Sequence, residues 1–120
     1  MSASPYVCVL LGGPSAEREV SLRSGAAVAG ALRTLGWRVE EVDPVGTWSI
    51  PGNTDVVFIA LHGTFGEDGT VQQELEARDL AYTGCGVEAS RVAFDKVLTK
   101  ERLVAAGVPT ARYGVVTNAR

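Results

Sequence analysis

Tyr6-Val-Cys-Val-Leu-Leu-Gly-Gly-Pro14 is the stretch that decides the fold of this 120-residue chain. Its first six residues are apolar, and two glycines and a proline end the run. A strand with one face in water would alternate apolar and polar residues, so this run indicates a strand buried on both faces. Strands of this kind belong to parallel sheets that helices cover on both sides.

Further strands are predicted along the chain. Residues 56–61 (Val-Val-Phe-Ile-Ala-Leu) form a second continuous apolar run and predict another buried strand. Residues 37–42 alternate polar and apolar side chains, which is typical of a strand with one exposed face. Residues 80–83 predict a short fourth strand, and residues 113–117 predict one more.

Helical spacing separates these strands. We predict that Ser21 is the N-cap of the first helix and that Thr70 is the N-cap of the second, with Gln73 completing a capping box. Further helical segments follow at residues 87–94 and 95–106. The alternation predicts an α/β fold, namely a Rossmann-like parallel sheet of about four strands with helices on both faces.

Charge and cysteine content exclude several classes of protein. The net charge is −3, and the 11 basic and 14 acidic residues are interspersed, so the basic surface of a nucleic-acid or anionic-membrane binder is missing. The two cysteines, Cys8 and Cys85, form no C-x-x-C motif. We therefore expect that the chain has no disulfide framework and that it is located in the cytoplasm. No apolar segment of the chain approaches the ~20 residues that a membrane helix needs.

Three polar, glycine-rich segments follow predicted strands, at residues 12–19, 62–69 and 84–86. Ligands of open α/β sheets bind outside the carboxyl ends of the strands. Because the carboxyl ends of parallel strands share one edge of the sheet, the three segments predict a single binding site.

Two residues of these segments are candidates for the site. Glu17 precedes a helix, where a carboxylate either complements the helix dipole or receives a substrate ammonium. His62 is the only histidine and follows a buried strand, so a structural and a functional role are equally compatible with its position. No second histidine or cysteine stands at a spacing that suits a metal site.

Other candidates carry weaker signals. Asp68-Gly69 is typical of a turn, while Glu67 remains open to a role in binding. Gly84-x-Gly86-x-x-Ala89 matches a relaxed dinucleotide motif, but it follows the last strand of the series and indicates a tight turn instead. Lys96 alone would be a surface lysine, and no Walker A motif occurs.

Taken in order, these segments resemble the D-alanine–D-alanine ligases of the ATP-grasp superfamily. The resemblance covers nearly the whole chain and rests on four blocks: Gly-Gly-Pro-Ser-Ala-Glu-Arg-Glu-Val-Ser-Leu at residues 12–22, Leu-His-Gly with Gly-Glu-Asp-Gly-Thr at residues 61–70, Tyr-Thr-Gly-Cys-Gly-Val with Asp-Lys at residues 82–96, and Gly-Val-Pro-Thr at residues 107–110. Each block is weak alone, whereas four in order are specific.

The resemblance implies an enzyme that phosphorylates the carboxylate of one D-alanine with ATP and Mg²⁺ and lets a second D-alanine attack the acyl phosphate, for peptidoglycan synthesis. It implies that Glu17 binds the ammonium of the first D-alanine, that His62 and the backbone near Val20 contact the same substrate, and that Lys96 contacts the ATP phosphates. It also implies a homodimer.

The resemblance divides the chain into an amino-terminal substrate-binding domain at residues 1–110 and the beginning of a central ATP-grasp domain at residues 111–120. We expect the Mg²⁺ ligands and most of the catalytic machinery to lie outside the chain, so that these residues alone are inactive. Cys85 and Phe94 depart from the commonest residues of the family, serine and methionine. The matching domain of a D-alanine–D-lactate ligase and a non-catalytic Rossmann-like binding or dimerisation module are the alternatives.

Overall fold

The computed structural model describes residues 4–118 and shows an α/β fold. Three parallel strands form one sheet in the order β2-β1-β3. The strands and helices, in chain order, are β1 (Tyr6–Leu10), α1 (Arg18–Thr34), β2 (Arg38–Val42), β3 (Val56–Ile59), α2 (Thr70–Ala77), α3 (Val87–Phe94) and α4 (Lys96–Ala105). In register, Val7 of the central strand lies between Val39 of β2 and Val56 of β3.

The central strand is buried on both faces, as its sequence predicts. Val7 and Val9 pack with Ala29 of α1 on one face, whereas Cys8 and Leu10 pack with Leu75 of α2 on the other. All six side chains are at most 2% exposed. Helices therefore cover both sides of the sheet, and the predicted fold class is confirmed.

The sheet has three strands instead of about four. Residues 80–83 form only an isolated parallel bridge, between Tyr82 and Val57. The ladder stops there because Ile59 donates its N–H to the Thr83 side-chain hydroxyl, at 3.0 Å, and not to a backbone carbonyl. The predicted strand at residues 113–117 was also wrong, since these residues are exposed and pair with no strand in the described part of the chain.

Ser21 is not a helix cap, since α1 begins three residues earlier at Arg18. The Ser21 side chain is fully buried. Its hydroxyl accepts a hydrogen bond from Gly12 N–H at 2.9 Å and donates one to the Ala60 carbonyl at 2.7 Å. The cap prediction was wrong because this hydroxyl joins the carboxyl ends of β1 and β3 instead of closing a helix end.

Thr70 is likewise the first residue of α2 and not its cap. Gly69 occupies the cap position in a left-handed conformation, with φ of 96°. Asp68 accepts the Thr70 N–H at 3.0 Å and the Phe65 N–H at 3.0 Å. The turn role predicted for Asp68 is confirmed. The capping box is not formed, since Gln73 donates its N–H to the Gly69 carbonyl at 3.0 Å.

Candidate functional site

The site lies where the loops after β1 and β3 meet, at the carboxyl edge of the sheet. Ser15 joins the two loops: its hydroxyl donates to the His62 carbonyl at 2.7 Å and accepts from the Glu17 N–H at 3.1 Å. Together with buried Ser21, it fixes the beginning of α1 against the end of β3. The predicted convergence of the first two glycine-rich segments is therefore present in the structure.

Glu17 occupies the N-cap position of α1, but its side chain caps no N–H group. The residue is exposed, and no hydrogen bond or ion pair to its carboxylate occurs among residues 4–118. Its Oε2 atom lies over Gly63, where an added methyl group would approach it to 2.6 Å. Gly63 also has a φ of 73°, so glycine meets both a backbone and a steric requirement here. The result is a free carboxylate held over the loop that follows β3.

Glu67 also contacts Gly63. Its Oε2 atom accepts the Gly63 N–H at 2.7 Å, and its Oε1 atom lies 3.9 Å from His62 Nδ1. The His62 side chain is 31% exposed, and its Nε2 atom contacts the Ser24 hydroxyl at 3.2 Å. Two carboxylates and one imidazole thus surround a single glycine.

Arg18, the residue after Glu17, forms a bidentate ion pair with Asp43, which follows the end of β2. Arg18 Nη1 lies 2.9 Å from Asp43 Oδ1, and Nη2 contacts the second oxygen. Asp43 also accepts the Gly13 N–H at 3.0 Å. The hydrogen bond from Arg18 holds the pKa of Asp43 below its usual range, although partial burial opposes the shift. Because Arg18 is paired with Asp43, its guanidinium does not neutralise Glu17.

Val20 and Lys96 differ in their relation to this cluster. Val20 lies in the first turn of α1 and is 46% exposed, and its carbonyl accepts the Ser24 hydroxyl at 3.0 Å. Lys96 begins α4 and is exposed, and it forms no hydrogen bond or ion pair with Glu17 or His62. The structure therefore brings Glu17, Val20 and His62 together and leaves Lys96 apart.

A cleft of about 520 Å³ adjoins the cluster and reaches the third glycine-rich segment. His62, Glu67, Cys85 and Phe94 are among the residues that line it. Cys85 and Phe94, at which the resemblance predicts serine and methionine, therefore line the same cleft. Gly84 has a φ of 93°, which is consistent with a tight turn at this segment.

Sequence reasoning missed three site residues: Ser15, Ser24 and Asp43. Asp43 directly follows β2 at the same edge of the sheet, so its position after a strand was an available signal. Ser24 gave no signal, because its partner His62 is 38 residues away.

Among residues 4–118, no group of three or more His, Cys, Asp or Glu side chains is arranged to hold a metal ion. None of the helices in this part of the chain has the length and apolar character that a membrane-spanning helix needs.

Comparison with known proteins gives one consistent result. A family model described as "D-ala D-ala ligase N-terminus" matches residues 37–85. A D-alanine–D-alanine ligase of Caulobacter sp. (strain K31) is 53% identical over 119 residues, which are 94% of this chain and 36% of that protein. The ligase of Syntrophotalea carbinolica is 49% identical over 92% of the chain and 37% of its own length. The chain thus spans little more than a third of the length of these relatives.

Solved structures agree with the sequence relatives. The D-alanine–D-alanine ligase of Aeromonas hydrophila superposes with a TM-score of 0.83 at 33% identity, over 93% of this chain and 50% of that one. D-alanyl-alanine synthetase A of Vibrio cholerae gives 0.86 at 26% identity, over 98% and 42% of the two chains. In sequence and in fold, the chain is similar to part of these D-alanine–D-alanine ligases, and the matching family model describes their amino-terminal region.

Proposed function

We propose that this chain supplies the binding site for the first substrate of an ATP-dependent D-alanine–D-alanine ligase. The observation that carries the proposal is the free carboxylate of Glu17, held over Gly63 and beside His62 at the carboxyl edge of the sheet. An amino acid carries an ammonium and a carboxylate, and the first turn of α1 offers a group for each charge.

The ammonium would bind Glu17, since a charge-assisted contact is stronger than one between neutral groups. The carboxylate would lie against the first turn of α1, where the N–H groups of Glu19 and Val20 donate to no acceptor among residues 4–118. Such N–H groups favour anions because of their direction and the helix dipole. His62 would contact the same substrate from the β3 loop.

The contribution of these residues to the reaction would be positioning. Fixing both ends of the amino acid aims its carboxylate in one direction, which lowers the entropy cost of the transfer step. ATP with Mg²⁺, when bound, would supply the phosphoryl group that activates this carboxylate. Lys96 suits a phosphate contact because it is exposed and forms no ion pair in the described part of the chain.

We assign no Mg²⁺ ligand to residues 4–118, since no suitable group of side chains occurs there. The remaining properties that the resemblance implies belong to the same proposal: a role in peptidoglycan synthesis, a cytoplasmic location and a homodimer. The molecular mass of the complete gene product in solution tests whether it is a homodimer.

The test is D-alanine-dependent release of phosphate from ATP by the complete gene product, with this 120-residue chain assayed beside it. We expect release by the former and none by the latter. Glu17→Gln should lower kcat/KM about 10- to 100-fold, the value of one charged hydrogen bond, and leave the melting temperature nearly unchanged.

Glu19→Gln is the matched control, because Glu19 is an exposed acid in the same first turn. If Glu17 only complements the helix dipole, the two variants lose a similar, small amount of stability and retain similar activity. Absence of any response to D-alanine would leave the domain a non-catalytic binding module.

A further inference from the structure

The Ser24 hydroxyl lies between two of the proposed substrate contacts. It is 3.0 Å from the carbonyl oxygen of Val20, one turn earlier in α1, and 3.2 Å from Nε2 of His62. The side chain is partly buried between α1 and the β3 loop. Among the described residues, no other side chain hydrogen-bonds to both Val20 and His62.

The chemistry of these two contacts assigns the protons. A hydroxyl has one proton to donate, and a carbonyl oxygen can only accept, so the Ser24 proton goes to Val20. The Ser24 oxygen can then only accept from His62, which requires a proton on Nε2. A neutral imidazole has a proton on one nitrogen only, and Nδ1 is therefore left with a lone pair.

The unprotonated Nδ1 lies next to Glu67. The 3.9 Å between Nδ1 and Glu67 Oε1 exceeds hydrogen-bond distance, and the other Glu67 oxygen is held by the Gly63 N–H at 2.7 Å. Two acceptors thus lie side by side at the edge of the cleft, where one donor group could contact both.

We propose that Ser24 is a positioning residue, which holds the His62 imidazole with its proton on Nε2 and offers Nδ1, beside Glu67, to the substrate. The assignment of the His62 tautomer rests on the contacts of Ser24 alone. The contact of Nδ1 with substrate rests on the proposed function.

The first test is the tautomer of His62, which is the only histidine of the chain and gives a single imidazole spectrum. With ¹⁵N-labelled histidine at about pH 8.5, where an ordinary imidazole is neutral, long-range ¹H–¹⁵N correlations should show only the Nε2–H form. Ser24→Ala should restore the two-tautomer mixture of free imidazole, and Ser24→Thr, which keeps a hydroxyl, should not.

Thr34→Ala is the matched control. Thr34 makes the same bond to the carbonyl four residues earlier in α1, at 3.0 Å from Gly30 O, but it lies at the far end of the helix. It should leave the His62 spectrum unchanged. An Nδ1–H form in the wild type, or a Ser24→Ala spectrum identical to it, overturns the proposal.

The second test uses phosphate release by the complete gene product. Ser24→Ala should raise KM for D-alanine about fivefold, the size of one neutral hydrogen bond, with a smaller change in kcat and no effect of Thr34→Ala. A changed tautomer with an unchanged KM overturns the substrate contact through Nδ1. If the wild type does not respond to D-alanine at all, the proposed function fails, while the spectra still decide the role of Ser24.

Discussion

The sheet region, residues 6–83, and the carboxy-terminal arm, residues 96–118, contain similar apolar side chains with opposite surroundings. Cys8, Val9 and Leu10 are fully buried, whereas Val104 is 60% and Val116 is 79% exposed. Helix α4 has no buried residue. The difference lies in the partners, because β1 has a strand on each side and a helix on each face, while the arm faces no second layer.

Different interactions hold the two regions in place. Apolar burial on both faces holds the sheet. Within the arm, the residues after α4 are held to this helix by Lys100, whose Nζ atom lies 2.9 Å from Thr110 Oγ1 and 3.0 Å from the Ala111 carbonyl. Substitutions in the sheet region should therefore cost far more stability than similar substitutions in the arm, and pairs of matched variants test this.

The largest difference is expected between Leu75→Ala and Val104→Ala. Leu75 of α2 is fully buried in the cluster of Cys8, Leu10 and Val57, so truncation leaves a cavity and should cost about 2–5 kcal/mol in the free energy of unfolding. Val104→Ala removes mainly exposed surface and should change it by less than about 0.5 kcal/mol. Urea unfolding measures both values.

The variants should share the wild-type dependence of unfolding free energy on urea concentration, which shows that the folded state is intact. Equal losses at the two positions would mean that α4 packs against the sheet region in solution, and the contrast between the regions would disappear.

An intermediate effect is expected at two glycines with the same backbone conformation. Gly63 has a φ of 73° and Gly107 of 72°, so alanine is strained at both, by roughly 1–2 kcal/mol. Nothing lies within 4 Å of a methyl group on Gly107, whereas one on Gly63 would approach Glu17 Oε2 to 2.6 Å. Gly63→Ala should therefore cost more, about 2 kcal/mol or somewhat above, and should also displace the Glu17 carboxylate.

Thermal unfolding of Gly107→Ala measures the backbone cost alone. The additional loss of stability in Gly63→Ala measures the steric cost of the contact with Glu17. Equal losses would indicate that Glu17 moves away from Gly63 without resistance.

The sequence predicts the sheet region better than the site. Continuous apolar runs locate β1 and β3, because a strand buried on both faces has no other pattern, and the glycine-rich segments locate the edge of the sheet that holds the site. The beginning of α1 could not be predicted, since the Ser21 hydroxyl bonds to Gly12 and Ala60, and residue 60 is distant in the chain. The contact of Ser24 with His62 is hidden for the same reason.

The strand predictions at residues 80–83 and 113–117 fail for a related reason. Apolar and β-branched residues favour an extended chain, but a strand also requires a neighbour that offers free N–H and C=O groups. At residues 80–83 a side-chain hydroxyl interrupts the ladder. At residues 113–117 no such neighbour exists within the described chain.

The smallest effect is expected for the polar contacts that fix each region, Asp43 in the sheet region and Lys100 in the arm. Asp43 pairs with Arg18, and this hydrogen bond lowers the pKa of its carboxyl from the ordinary value of 3.8. The folded state therefore binds the proton less readily than the unfolded chain does. The stabilisation is present above about pH 4 and is lost as the pH falls through the lowered pKa.

Asp43→Asn should accordingly lower the melting temperature by a few degrees at most at pH 7, since the pair is partly exposed to solvent. The difference from the wild type should shrink as the pH falls through the lowered pKa of Asp43, where the wild-type carboxyl loses its charge as well. Lys100→Ala should leave the melting temperature nearly unchanged at neutral and at acidic pH, because its partners Thr110 and Ala111 are partly buried and exposed, respectively. A deficit of Asp43→Asn that persists in acid would show that the Gly13 N–H bond, and not the charge of Arg18, holds the loop after β1 against β2.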